Sequence, residues 1–256
     1  MSRAVVGYAA RVEPDQTAAP ASASPATDMP VLPWQKPPGR RRAKQPLTRD
    51  RIVAAALAIL DQDGLDAVTT RRVAEALDTG SASLYAHVAN RDELIELMVD
   101  RVAEDIHVPA PDPARWQDQI RDYARHAQQV WSAHADLARA SLATMPTGPG
   151  RLQVIEGLLA ILRAAGLPDQ VAAWAVDRLQ IYIDSDVYEG WLYEVKVRQG
   201  LNVEQYVASI REYFRALPPD RFPLISSLAD TIMASGEERF EFGLDLFIRG
   251  LADERN

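Results

Sequence analysis

The sequence predicts an all-α fold, and three observations carry that expectation. From Leu47 onward apolar residues recur at helical spacing between capping signals. Between Leu47 and Val108 there is no proline, and later breaks fall at Pro109, Pro111 and Pro113, then at Pro146-Thr-Gly-Pro149, Gly166-Leu-Pro168, Gly200 and Pro218-Pro219. No pair of short alternating segments is joined by an Asn-Gly or Asp-Gly turn, and no internal repeat is present.

The first 46 residues hold eight of the 17 prolines with many Ala, Ser and Thr and no apolar period, so they are expected to be a disordered tail. The first helix starts at Thr48, an N-cap followed by Asp50, with Leu47 placed to pack on Ile52. Ile52, Val53, Ala56, Leu57, Ile59 and Leu60 give its buried face, and Gly64 ends it. A second start lies at Thr69, with Val68 and Val73 as a hydrophobic staple, and this helix runs from Thr70 to about Leu77. Asp78-Thr79-Gly80 is a turn, and Ser81 to about His87 is a third, short helix. Asn90 caps a fourth, with Glu93 completing a capping box.

Two short helices joined by a tight turn and backed by a preceding helix describe a helix-turn-helix. In that motif the second short helix enters the major groove. Here it offers Ser81, Ala82, Ser83, Tyr85, Ala86 and His87, with only Leu84 and Val88 clearly apolar. So polar a helix adds little to a core, and its small residues allow close approach to DNA. Plain surface exposure is the alternative.

The 256 residues, 47% hydrophobic and 25% charged, suit a globular protein. No apolar run approaches the roughly 20 residues of a membrane span. The polar N-terminus lacks a secretory signal, and zero cysteines exclude disulfides, thiolate metal sites and cysteine nucleophiles. A cytoplasmic protein without metal or cofactor and without a membrane partner is expected. The net charge of −8 is uneven: residues 1–91 hold 12 Lys/Arg against 9 Asp/Glu, which leaves −11 on the remainder. Seven cations lie between Lys36 and Arg51 against Asp50 alone, so that end either meets an anionic partner or is a solvated charge run.

The stretch from Leu65 to Leu94 resembles the DNA-binding domain of the TetR (tetracycline-repressor-like) family. The most specific parts are Leu84-Tyr85-x-His87-Val88 and Asn90-Arg91-Asp-Glu-Leu94. The resemblance is strong over about residues 48–106 and continues weakly into a C-terminal region similar to the helical ligand-binding and dimerisation domain of tetracycline-repressor-type members. It divides the chain into a tail at 1–46 with a basic arm at 36–46, a reading head at 47–92 and a helical body at 93–256. Where many members have Gly, this chain has Asp78, a residue that tolerates the left-handed backbone.

The resemblance implies a homodimer on a palindromic double-stranded operator, released by a small effector; the aromatic residues of the helical body point to an aromatic or partly apolar one. Thr70 and Arg71 would meet the DNA, and Ser81, Ala82 and Ser83 would face the groove. Tyr85 and His87 would reach phosphate, and Arg91 would clamp the backbone. Core packing for Tyr85 and bracing of the turn for His87 are the alternatives. Serine hydroxyls bond either kind of base edge, so no operator sequence follows. Arg40, Arg41, Arg42 and Lys44 could follow the minor groove as an arm, or add only nonspecific attraction.

Helices are expected at about 113–134, 136–143, 149–165, 168–198, 203–216, 221–234 and 236–252. The effector pocket is expected among Trp131, His134, Leu142, Met145, Trp174, Arg178, Tyr182 and Asp186, the last four spaced by four along one helix face. The family pairs the helix from Pro168 and the final helix into a four-helix bundle. Phe240, Leu244, Phe247, Ile248 and Leu251 form a stripe that is either that interface or internal core. Ligand entry would repack the fourth helix, about 91–105, and change the spacing of the two recognition helices.

Two rival classes are an all-α enzyme and a helical adaptor without DNA binding. No His-Glu-x-x-His pattern, phosphate loop or nucleophile elbow is present, so no catalytic residue is assigned. Asp184, Asp186 and Glu189 read as a solvated acidic group.

Overall fold

Caps written in the sequence set the limits of the first helices. The computed structural model describes residues 46–233 and 236–255, which form helices and turns with no strand. Helix α1 (Arg49–Asp63) begins where the Thr48 side chain accepts the Arg51 N–H, and it ends at Gly64, whose φ of +83° only glycine adopts easily. A single 3₁₀ turn, Leu65–Ala67, leads to α2 (Thr70–Ala76), capped by Thr69 on the Arg72 N–H. Helix α3 (Ser81–Leu84) is followed by a turn, and α4 (Arg91–Ala103) opens on Asn90, which accepts from Glu93 N–H at 2.8 Å. The Glu93 carboxylate in turn accepts the Ala89 N–H at 2.5 Å, so both ends of the capping pair are bonded. Val68 and Val73, the expected staple, are both fully buried.

The body follows as α5 (Trp116–Ser132), a 3₁₀ turn at Ala135–Leu137, α6 (Ala138–Ala143), α7 (Pro149–Ala164) and α8 (Asp169–Arg198). Then come α9 (Val203–Arg215), α10 (Pro223–Ser227), α11 (Ala229–Ile232) and α12 (Gly236–Asp253). The 30 residues of α8 span about 45 Å and make it the spine, packed on α5, α6 and α7. Helix α4 packs on α1 with one side and on α7 with another, so one buried cluster runs from Ile52 to Leu251 through head and body.

Two elements differ from expectation. The helix expected at 221–234 is two short ones, because the chain leaves helical geometry at Leu228 (φ −103°, ψ 13°). The recognition helix stops at Leu84 rather than near His87: the Leu84 carbonyl accepts both His87 N–H and Val88 N–H, which tightens the last turn. Among the described residues no helix is long and apolar enough to cross a membrane.

Candidate DNA-reading head and effector cavity

The turn between α2 and α3 is built on Asp78, the one non-glycine residue with positive φ (+48°) among those described. Aspartate holds that left-handed backbone at modest cost, so the departure from Gly leaves the turn intact. Thr79 N–H bonds the Ala74 carbonyl at 2.9 Å and closes it. Buried Leu84 and Val88 then seat α3 on the head core and turn its other side outward. Ala82, Ser83 and Ala86 are exposed, Ser81 and His87 are half-buried, and Tyr85 is 55% exposed. That exposure removes the reading of Tyr85 as a core residue. The His87 carbonyl accepts Arg49 Nε at 2.8 Å, so His87 braces the turn through its backbone while its ring stays half-open. Beside α3, Thr70 is half-buried at the start of α2, and Arg71 is exposed with Glu75 at 2.9 Å.

Arg91 points the other way. Its guanidinium donates to the Val68 and Leu65 carbonyls, both at 2.8 Å, and is partly buried there. The expected backbone clamp is therefore corrected: Arg91 is an internal brace that fixes the entry to α2. On α1, Arg49, a member of the basic run, reaches the end of the turn after α3 through the His87 carbonyl and also lies 3.5 Å from Glu93. Arg40, Arg41, Arg42 and Lys44 lie outside the described residues.

A cavity of about 360 Å³ opens between the end of α4, α5, α6, α7 and α8. Its apolar wall includes Ile106, Leu142, Met145, Val154, Leu158 and Ile181, and its polar groups are Arg151, Asp177, Gln180, Asp184, Ser141 and Thr144. Trp131 lines it too, and its buried indole N–H has no hydrogen-bond partner among the described residues. Asp184 is 1% exposed, which corrects its reading as solvated, while Asp186 is half-buried and Glu189 exposed. Burial pushes its carboxyl up to about 6, against the downward pull of Ser141, Gln180 and Arg151. Tyr123 Oη donates to Gln180 Oε1 at 3.1 Å and Gln180 Nε2 donates to Asp184 Oδ1 at 2.7 Å, so a polar chain runs from Tyr123 to two cavity-lining residues of α8. Burial lowers the Arg151 guanidinium, offset by Asp184 and Asp100.

Of the expected pocket residues, Trp131, Leu142 and Met145 come together here. The others do not. His134 Nδ1 lies 2.6 Å from Asp61 Oδ1, and Arg178 bonds its neighbour Asp177. Trp174 is 65% exposed. Tyr182 stacks on Phe240 at 5.3 Å and donates to the Phe240 carbonyl at 2.7 Å. Asp186 accepts from Gln128 at 2.6 Å and faces a separate open cleft of about 1100 Å³. The face of α8 that meets the cavity carries Ala173, Val176, Asp177, Gln180 and Asp184, which at about 100° per residue lies nearly on the opposite side of the helix from the expected one.

The stripe on the last helix is corrected as well. Phe240, Leu244, Ile248 and Leu251 are buried in the chain's own core and Phe247 packs against it, so these five are not an exposed interface. Gly243 permits the close approach of α8, since a β-carbon there would stand 2.5 Å from Tyr182 Oη. The outward side of α12 instead carries Phe242, 64% exposed, and Leu246, 51% exposed.

An outward-facing α3 on a helix-turn-helix, carried by a larger helical body, defines a DNA-binding transcriptional regulator. The chain belongs to the TetR family: residues 52–98 match the bacterial regulatory proteins of the tetR family, and residues 108–255 match the tetracyclin repressor-like C-terminal domain. It is 31% identical over 222 residues to the HTH-type transcriptional repressor DrrR1 of Streptomyces coeruleorubidus, covering 83% of this chain and 81% of that one. It is 27% identical over 214 residues to the class A tetracycline repressor of Escherichia coli, covering 82% and 92%. Among solved structures it is similar to Streptomyces coelicolor ActR in complex with actinorhodin, with TM-score 0.75 and 39% identity over 82% of this chain and 98% of that one. ActR in complex with (S)-DNPA gives 0.74 and 38%, over 83% and 100%. These relatives are regulators of transcription, and the chain is not an enzyme.

Proposed function

We propose that the chain is a repressor that binds a palindromic operator as a homodimer and is released when a small, partly apolar effector enters the cavity lined by Trp131 and Arg151. The observation that carries this reading is the α3 face of Ala82, Ser83 and Tyr85, held outward by Leu84 and Val88 on the core that also encloses the cavity. A volume of about 360 Å³ with an apolar wall and a few convergent polar groups suits a drug-sized ligand. The structures of ActR with actinorhodin and with (S)-DNPA support the same class of input. The exposed Trp174 on α8 with Phe242 and Leu246 on α12 forms the contact between copies, in place of the buried stripe. Two heads so joined read half-sites about 34 Å apart, one helical turn. A differential affinity of roughly 1–3 kcal/mol between two states suffices for release. Arg40, Arg41, Arg42 and Lys44 add contacts to the DNA outside the groove that α3 reads.

The test begins with selection of duplexes from a random pool by the full chain. An inverted repeat should be enriched, and actinorhodin, used as the probe, should weaken binding to that duplex. Failure to enrich any duplex would overturn DNA recognition. Enrichment with no response to actinorhodin, and none to (S)-DNPA, would overturn the effector class. A second reading as an adaptor has no observation in its favour.

A further inference from the structure

The head is fastened to the body at two places. Helix α4 is one. The other is the corner between α5 and α6, which grips the turn Leu65–Ala67 behind α1. There the Asp136 carboxylate accepts the Leu65 N–H at 2.5 Å. Arg139 donates to Asp66 at 2.8 Å, and its Nε lies 2.8 Å from Asp136 Oδ1. His134, displaced from the expected pocket, lies against Asp61 at the end of α1. Gly64 makes room for this contact: a β-carbon there would stand 3.1 Å from Asp136 Oδ2. Asp136 and Leu65 are both buried, so water does not compete for the bond and its loss leaves an orphan donor.

The same corner runs straight into the cavity wall. Ser141, Leu142 and Thr144 line the cavity, and Asp136 stands five residues before the first of them, on the 3₁₀ turn that continues into α6. We propose that Asp136 is a positioning residue that carries displacement of α6 directly to the reading head, in parallel with α4. This rests on the reading of the cavity as the place where the input enters. When α6 moves, Asp136 moves with it, and the Leu65 N–H must follow or be left unpaired. Leu65 is also held at its carbonyl by Arg91, which holds Val68 as well. The turn therefore shifts as a block, and with it the entry to α2 and the seat of α3.

The chain has no cysteine, so two introduced ones take spin labels cleanly: Ala86→Cys on the head and Ala164→Cys on α7. The probe of displacement is a cavity-filling substitution, Leu142→Trp from α6 or, should that fail to fold, Ala173→Phe from α8. Either should shift the mean head-to-body distance by about 2 Å, the scale of helix shifts in switching proteins. Adding Asp136→Ala should reduce that shift by at least half. Asp136→Asn, which keeps an acceptor for the Leu65 N–H, should restore it. An equal shift with and without Asp136→Ala, or no shift from either filler, overturns the proposal. No effector is needed, so a failed actinorhodin titration counts against the effector reading alone.

Discussion

Asp100 of α4 accepts the backbone N–H of Arg151 at 2.9 Å and so supplies, from another helix, the cap that α7 lacks. The residue at the N-cap of α7 is Gly148, whose missing side chain leaves the space that the Asp100 carboxylate occupies. The carboxylate also meets the positive end of the helix dipole. Arg151 then donates to the Thr144 carbonyl and hydroxyl at 3.2 and 3.0 Å, which ties α4 to the cavity wall. Replacing Asp100 by Ala should cost about 1–2 kcal/mol of stability, measured by urea denaturation. Gly148→Ala should destabilise as well, because its β-carbon meets the carboxylate. An Asp100→Ala chain as stable as the parent would show that the cap contributes nothing.

Asp184 sets a pH dependence whose sign follows from its environment. Its folded carboxyl titrates at about 6 against an ordinary 3.8, so between those values the folded chain holds a proton that the unfolded chain has lost. The contribution is fully present below about 3.8 and is lost as pH rises through about 6. Its size is on the order of 2–3 kcal/mol. The stability difference between Asp184→Asn and the parent should therefore change between pH 4.5 and 7.5, with the parent losing ground as pH rises. A difference independent of pH would contradict the assignment.

Tyr85 and Arg91 should separate cleanly. Tyr85→Ala should weaken operator binding about tenfold, near 1.4 kcal/mol, with the melting temperature unchanged. Arg91→Met should lower stability by about 1–3 kcal/mol, since two charge-assisted bonds to Val68 and Leu65 are lost. Anisotropy on the selected duplex and thermal melts read the two effects. If Arg91→Met left the melt unchanged and reduced only DNA affinity, the internal brace would be refuted.

The two sides of α12 should differ in the same way. Phe242→Glu with Leu246→Glu should give monomers in sedimentation while the helical content stays, because both side chains are exposed. Leu244→Ala should instead cost about 2–5 kcal/mol by leaving a core cavity. Dimers that survive the double substitution would remove Phe242 and Leu246 from the contact between copies.

Removal of residues 1–45 should weaken operator binding and flatten its dependence on salt, since fewer phosphate-bound counterions are released. Affinities measured across a salt series check both parts. Equal slopes for the full and shortened chains would mean that Arg40, Arg41, Arg42 and Lys44 do not meet the DNA.

The sequence by itself determined what depends on near neighbours along the chain. Thr48, Thr69 and Asn90 cap the helices they precede, Gly64 ends α1, and Asp78 turns the chain, because each acts within four or five residues of itself. The exposed polar character of Ser81 to His87 was legible for the same reason. Tertiary structure alone decided where long side chains end and which face of a long helix turns inward. Arg91 could have reached outward from its position, but two carbonyls 23 and 26 residues earlier hold it inside. On α8, helical spacing defines families of faces without saying which one meets the cavity, and the packing of α5, α6 and α7 selected Gln180 and Asp184 over Tyr182 and Asp186. The stripe on α12 is buried by its own chain for that reason too. Periodicity reports that a face is apolar, while only the arrangement of the other helices settles what covers it.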